Sequence, residues 1–445
     1  MERRTLARAG WTAVLITALA GPALIWLVRS EPLSLWRQLS IVTGLVALSA
    51  MVCAAVLPSR LRSVTRVLGI ENVIGVHRQL GMLTGLFVAL HLACVVAADP
   101  AQVALLDVTT APGRARAAVA GVVTLSVLLA LALNRTWLGS RYELWRWLHL
   151  LFAAAALGAS ALHTLLLGHV LADPIVGPML VALGCALLIV LGQRWVWRSW
   201  LDESSEFVVR EVRPENRSVS TLVLEPRARH APSAGLHFAP GQFAWLRLHR
   251  AAVEEHPFTI ASGAHDPTRA EFTIRHTGDF TATLGALRPG SPVWVDGPYG
   301  AFTSDPATSA GVVMIASGVG ITPMMSMLRT AGQCGDPRPF RLVVLARDGG
   351  ELLFRDELTV LHEELDLEVT EVLRRPPPDW TGATGPIDVG LLTAVLAGLG
   401  HDDRDRNRLD YFICGSPSLL GDVLDALGAL GVADERIHTE QFDMV

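Results

Sequence analysis

Apolar and polar positions follow two different rhythms along the chain. In the first 200 residues they form six long apolar stretches, roughly 11–28, 38–57, 75–98, 116–133, 145–168 and 174–194. Each could cross a hydrocarbon layer of about 30 Å as a helix, so a six-helix transmembrane bundle is predicted. After Trp200 short alternating runs (FVVREV, STLVLEP, QFAWLRL, EFTIRHT, PVWVDG) are broken by Pro and Gly turns. That pattern predicts a small antiparallel β-barrel. From about residue 309, continuous apolar runs (GVVMIAS, RLVVLAR, LEVTEVL, DYFICGS) alternate with helical ones, as in a parallel sheet with crossover helices. RRPPPDWTGATGP reads as a loop. The expected fold class is a multidomain membrane protein: a bundle over 1–200, a barrel over 201–307 and an α/β domain over 308–445.

Composition sharpens this division. The 445 residues are 51% hydrophobic, with mean hydropathy +0.40, too apolar for an ordinary soluble enzyme. Residues 1–200 carry 16 arginines and 7 acids, and residues 201–445 carry 21 arginines and 35 acids, with no lysine anywhere. The soluble part is therefore acidic, and no nucleic-acid partner is expected. With the N-terminus inside, twelve arginines (Arg3, Arg4, Arg8, Arg60, Arg62, Arg66, Arg78, Arg135, Arg141, Arg146, Arg194 and Arg198) fall on one side of the bundle. Only Arg29, Arg37, Arg114 and Arg116 fall on the other, so both termini are expected in the cytoplasm. Trp137, Trp145, Trp147, Trp195, Trp197 and Trp200 gather at the same border, as an interfacial belt would. The stretch after MERR has no clear cleavage site and is read as a retained span. The five cysteines show no C-x-x-C spacing, which argues against a disulfide framework, a zinc site or an iron–sulfur cluster.

Two pairs of histidines interrupt the apolar spans. His77 and His91 lie in GVHRQLGMLTGLFVALHLACVV, and His149 and His163 in LWRWLHLLFAAAALGASALHTLLL, each pair 14 residues apart. On an α-helix that is a rise of about 21 Å and about 40° short of whole turns, so both rings leave nearly one face at two depths. The third and fifth spans run in the same direction, which brings His77 level with His149 and His91 level with His163. One histidine in an apolar helix is ordinarily a hydrogen-bonded core residue. Four in matched register are different, because polar groups inside a membrane are costly and mark function. Neutral imidazole is also an axial ligand of haem iron. Two stacked b-type haems are expected, one on His77 and His149 near the cytosol, one on His91 and His163 near the outside. His169 has no partner at this spacing and is read as incidental.

The barrel carries HPFTIAS (256–262), FTIRHTGDFT (272–281) and DGPYG (296–300) in that order. A flavin site needs an aromatic ring against the isoalloxazine, a hydroxyl near N5 and a positive or amide-rich cradle for the pyrophosphate. Phe258, Thr259, and Arg275 with Gly278 supply these in turn. His256, Pro257, Phe280 and Thr281 belong to the same segments and are candidate FAD contacts. Next, ASGVGITPMMSML (316–328) joins a buried strand to a helix. Gly318 and Gly320 let the backbone approach a phosphate, and a helix opened by Thr322 and Pro323 attracts its charge. This is not the G-x-G-x-x-G fingerprint. YFICGSP (411–417) sets Cys414 and Gly415 at the C-terminal end of a strand, where open α/β sheets bind ligands. Taken alone, a buried cysteine is usually packing. Arg347, ending LVVLARD, is placed to clamp an adenosine 2′-phosphate, which favours NADPH over NADH; a solvated arginine is the alternative.

With these motifs in this order the chain resembles the NADPH oxidase / ferric reductase family, in its bacterial form. That architecture is a ferric-reductase-like transmembrane domain followed by a ferredoxin–NADP reductase-type FAD and nicotinamide module. The resemblance covers nearly the whole chain and includes the closing HTEQF. It implies that His256, Phe258, Thr259 and Arg275 bind FAD, and that Gly318, Gly320, Thr322, Pro323, Cys414 and Gly415 bind the nicotinamide nucleotide. Phe442 would shield the flavin face until nicotinamide displaces it, which sets Thr259, Cys414 and Phe442 at the reacting rings. Val95 stands where animal oxidases carry a further histidine, which weakens the case for oxygen as acceptor.

The expected activity is electron transfer from cytosolic NAD(P)H through FAD and two haems across the cell membrane. The acceptor outside would be oxygen, giving superoxide, or a ferric chelate, with no obligate protein partner. A rival is a cytosolic-facing flavin reductase on a haem-free membrane anchor, which leaves the four histidines unexplained. A transporter or proton channel would need carboxylates deep in the spans, where only Glu143 and Asp173 stand at the edges.

Overall fold

Inside a hydrocarbon layer every backbone N–H and C=O must find its partner within its own segment, so long apolar runs wind into helices. The computed structural model of this chain describes residues 2–29, 33–134, 142–227, 235–250, 252, 254–304, 309–399 and 403–441. Phe442, Arg135, Trp137 and Arg141 lie outside the described residues. The chain divides into two units, Met1–Trp197 and Arg198–Val445. The first contains α1 (Glu2–Arg29), α2 (Leu35–Val56), the short α3 (Arg62–Leu68), α4 (Ile70–Ala98), α5 (Gly113–Leu133), α6 (Tyr142–Leu167) and α7 (Val176–Gly192). All but α3 are long and apolar enough to cross a membrane, the last with its π-helical continuation past Gly192. Leu86, Leu151, Leu165 and Leu188 are each more than half exposed, as lipid-facing side chains are.

Helix α2 lies along α4, and α5 along α6. Small residues permit the close approaches. A Cβ on Gly121 of α5 would stand 3.3 Å from Ser160 Oγ of α6, and one on Gly85 of α4 would stand 2.7 Å from Leu129 of α5. By contrast α4 and α6, the two helices carrying the paired histidines, are not packed along one another. Met51, Leu125 and Ala156 are buried together with Val88 and Leu129 against them. In sequence Val88 lies between His77 and His91, and Ala156 midway between His149 and His163.

The second unit holds two sheets. Strands β1 (Glu206–Pro214), β2 (Val219–Pro226), β3 (Phe243–Arg247), β4 (His256–Thr259), β5 (Ala270–Arg275) and β6 (Pro292–Tyr299) form an antiparallel sheet in the order β4-β3-β6-β1-β2-β5. Its outer strands β4 and β5 come together, and Ala261 N–H donates to Glu271 O at 2.7 Å, so the sheet curls toward closure. Leu222, Ile260 and Phe272 fill the interior, and Leu284 of α8 (Asp279–Gly285) plugs it. Each such fully buried side chain contributes roughly 1.5–3 kcal/mol. Arg198, the first residue of this unit, donates to Tyr299 Oη at 2.5 Å, and Tyr299 in turn donates to Asp296 at 2.8 Å.

Strands β7 (Gly311–Ser317), β8 (Phe340–Ala346), β9 (Leu367–Leu373), β10 (Ala383–Thr384), β11 (Leu409–Gly415) and β12 (Ile437–Gln441) form a parallel sheet in the order β10-β9-β8-β7-β11-β12. The two-residue β10 falls inside the segment read as a loop. Helices α9 (Thr322–Cys334), α10 (Arg355–Glu364), α11 (Val389–Leu396), α12 (Asp403–Arg406) and α13 (Pro417–Ala429) connect the strands. Two apolar cores, one on each face of the sheet, cover it, as an all-parallel sheet requires. Helix α9 also docks on the barrel. Arg329 donates to Ala261 O at 2.7 Å and Glu271 at 3.2 Å, and it pairs with Glu357 at 2.6 Å. Ser326 Oγ donates to Ser262 O at 2.9 Å.

Candidate functional site

In the first unit the rings of His77 and His149 lie 6.2 Å apart, centroid to centroid, with 61° between their planes. An imidazole nitrogen binds a first-row metal at about 2 Å, so two imidazoles on opposite sides of one ion have centroids about 6 Å apart. Three of the four rings have their tautomer set by the backbone. Nδ1 of His77 donates to Ala54 O at 2.8 Å, Nδ1 of His91 to Ser40 O at 2.6 Å and Nδ1 of His163 to Arg114 O at 2.8 Å. A carbonyl can only accept, so the proton sits on Nδ1 and the Nε2 lone pair is free for a metal. Gly44 on α2 makes room for one ring: a Cβ there would meet His91 Nδ1 at 3.0 Å. Three rings with Nε2 left free, and His149 beside His77, are a donor set that fits haem iron.

In the second unit HPFT is strand β4, paired antiparallel with β3 so that Thr259 faces Phe243 and His256 faces Leu246. The pleat puts His256 and Phe258 on one side and Pro257 and Thr259 on the other. Phe280, at the start of α8, lies 4.4 Å from the His256 ring and nearly parallel to Phe258 at 6.4 Å. It is buried in the barrel core, so it backs the site as a wall. Thr259 is buried and its Oγ1 has no partner among the described residues, an arrangement costing about 1–3 kcal/mol until an acceptor arrives. Arg275 Nε is likewise buried and unpartnered. Its Nη2 would stand only 2.8 Å from a Cβ on Gly318, which joins the barrel motif to the nucleotide loop. An orphaned hydroxyl and an uncompensated guanidinium beside aromatic rings fit FAD. Thr281, expected as a cofactor contact, has its hydroxyl committed to the turn. It accepts from the N–H of Thr277 and Gly278 at 3.0 and 3.1 Å and donates to Gly278 O at 2.9 Å.

The order of connection reverses between the parallel neighbours β7 and β11, and ligands bind in the crevice such a switch creates. Gly318 follows β7 at φ +55°, a conformation glycine adopts without strain. Gly320 meets the end of β11 so closely that a Cβ would lie 2.4 Å from Cys414 O, and one on Gly415 would lie 2.3 Å from Ser317 Oγ. Thr322 Oγ1 donates to Val319 O at 2.9 Å and Pro323 opens the first turn of α9, so the loop enters the helix in one shape. Cys414 was expected at the reacting rings. It is fully buried with Phe412 in the core behind the loop, and it presents its backbone there, not an exposed thiol. Arg347 is more than half exposed and donates to Glu351 at 2.5 Å and Asp348 at 3.4 Å. A 2′-phosphate would have to compete with these two carboxylates. Sequence reasoning missed Gly44 and the carbonyls of Ser40, Ala54 and Arg114. Backbone acceptors are independent of side-chain identity, and an isolated glycine in an apolar span has no distinctive neighbours.

These geometries, an antiparallel flavin-type barrel beside a switch-point nucleotide crevice, define an NAD(P)H-dependent oxidoreductase module. Comparison with known proteins agrees. The family model for the ferric reductase like transmembrane component matches residues 43–160, the FAD-binding domain 221–303 and the oxidoreductase NAD-binding domain 314–425. The three matches, in this order, give the chain the NADPH oxidase / ferric reductase architecture. It is 30% identical over 236 residues to ferredoxin–NADP reductase B of Sorangium cellulosum, covering 51% of this chain and 94% of that protein. It is 29% identical over 242 residues to the reductase component of propane 2-monooxygenase from Rhodococcus jostii, covering 53% of this chain and 62% of that protein. Among solved structures, the FAD/NAD-binding domain of nitric oxide dioxygenase from Vibrio cholerae aligns with TM-score 0.46 and 23% identity, over 54% of this chain and 98% of that one.

Proposed function

We propose that this chain carries electrons from cytosolic NAD(P)H through FAD and two b-type haems to an acceptor on the far side of the cell membrane, oxygen or a ferric chelate. When bound, FAD would supply the exchange between two-electron and one-electron chemistry and haem the one-electron chemistry. The protein holds and aligns these groups. His77 with His149 would grip one iron and His91 with His163 the other; His77, His91 and His163 each keep Nε2 free because Nδ1–H is bound to a backbone carbonyl. Thr259 would donate to the flavin ring. Arg275 would neutralise the pyrophosphate, with Gly278 at the turn beside it, and His256 and Phe258 would line the flavin. The turn from Gly318 to Thr322 would receive the nicotinamide nucleotide against Gly415, as the switch-point crevice does in open α/β sheets. Apolar side chains around Met51 and Ala156 exclude water from the layer between the histidine levels.

The observation that carries this reading is the 6.2 Å separation of the His77 and His149 rings on two helices that do not otherwise pack. The test is reconstitution of the full chain in sealed vesicles with ferricyanide trapped inside and NADPH added outside. Reduction of the trapped acceptor is the expected result. Flavin reduction without any loss of trapped ferricyanide would favour a haem-free membrane anchor.

A further inference from the structure

The two histidine pairs are not equivalent, and the difference lies in what surrounds Nδ1. His91 and His163 both donate to carbonyls, at 2.6 and 2.8 Å, and so does His77, at 2.8 Å. His149 Nδ1 is buried and has no acceptor among the described residues. The indole of Trp145, one turn earlier on α6, lies against its ring, with centroids 5.2 Å apart and 32° between planes. Tryptophan has a donor and no acceptor, and here its Nε1–H is bound to Leu131 O at 2.9 Å. The indole lying against His149 therefore cannot satisfy it.

A carbonyl that accepts from Nδ1–H pulls the proton outward and leaves the ring richer in electrons, which makes Nε2 a stronger donor to a metal. A stronger axial donor stabilises ferric over ferrous iron and lowers the reduction potential. Both rings of the His91/His163 pair are polarised in this way, whereas only one ring of the His77/His149 pair is. We infer, resting on the reading that these pairs ligate haem, that the two sites have unequal potentials and that iron between His77 and His149 is the more readily reduced. Trp145 sets the difference as a positioning residue, by covering His149 with a ring that accepts nothing.

The test is an equilibrium redox titration of the purified, haem-loaded full chain, followed by visible absorption and independent of turnover. Wild-type protein should show two waves. His163→Leu should retain the higher wave and His77→Leu the lower. Trp145→Gln, which offers a carbonyl one turn from His149, should move only the higher wave to lower potential, while Trp145→Phe should leave it in place. Should a histidine variant fail to fold, the Trp145→Gln shift carries the test, because that variant keeps all four ligands. Coincident waves, the reverse order in the single-pair variants, or a Trp145→Gln titration identical to wild type would overturn the inference. A protein that binds no haem, or whose haem lacks two axial imidazoles, would overturn the underlying reading instead.

Discussion

A histidine in a lipid layer can serve a metal only if the nitrogen facing the metal has no proton. The carbonyls of Ala54, Ser40 and Arg114 arrange this for His77, His91 and His163. The nearness of His77 to His149 was legible from spacing, because a 14-residue step returns to nearly the same face of a helix. The hydrogen bonds to those carbonyls were not, since any residue can supply a carbonyl. His91→Leu should abolish reduction of an acceptor across the membrane and leave NAD(P)H-dependent flavin bleaching intact. Stopped-flow absorbance separates the two, and equal loss of both would contradict the pairing. In the barrel, Thr259 has a buried hydroxyl without a partner among the described residues. Thr259→Val should therefore leave thermal stability nearly unchanged while weakening FAD binding about tenfold, the equivalent of about 1.4 kcal/mol and a typical hydrogen bond. Flavin fluorescence titration reads this directly, and unchanged affinity would remove Thr259 from the site.

At the scale of elements, strand β7, the glycine turn and α9 form one device, locked by the approach of Gly320 to Cys414 O at 2.4 Å for any added Cβ. Backbone cannot yield as a side-chain tip can, so Gly320→Ala should raise the KM for NAD(P)H at least about tenfold, the size of a lost hydrogen bond or two. FAD content should be preserved. Steady-state kinetics on flavin-replete protein checks this. Arg329 ties α9 to the barrel through Ala261 and Glu271. Arg329→Met should cost about 3 kcal/mol, as breaking a buried charged pair does, seen as a lowered thermal midpoint of the soluble unit. Most elements announced themselves by period. The runs GVVMIAS and RLVVLAR became the central strands β7 and β8, because a strand covered on both faces must be apolar throughout. Strand β12, IHTEQ, is an edge strand with exposed positions, and its polar sequence carries no such signal. Cys414 sits in a legible motif, yet its burial depends on how the turn folds back over β11, which only tertiary packing decides.

Across the whole molecule, hydropathy and charge already separate a basic, apolar N-terminal part from an acidic C-terminal one. The unit boundary at Trp197/Arg198 falls three residues before the change of rhythm at Trp200. The acidic unit also has a defined response to pH. Burial would raise the Asp410 carboxyl, but hydrogen bonds and charge from His438 and Arg436 outweigh it and hold it below the usual range. Burial would likewise raise Asp336, and the bonds from Arg338 outweigh that too. A carboxylate depressed in the folded state stabilises above its unfolded pKa of about 3.9 and loses that contribution as pH falls through the folded value. The thermal midpoint of this unit should stay level from neutrality down to about pH 5 and fall below about pH 4. Asp410→Asn should flatten part of that fall and lower the midpoint at neutral pH. Circular-dichroism melts across pH decide it, and a midpoint that rises on acidification would contradict the sign.

The claim that four membrane imidazoles grip two irons is tested most directly by the visible spectrum of the purified full chain, with haem and FAD quantified together. A low-spin, b-type spectrum with two haems per flavin is the expected result, with His77→Leu and His91→Leu each reducing the ratio to one. A protein with bound flavin and no Soret absorption, or a ratio untouched by either substitution, would contradict it.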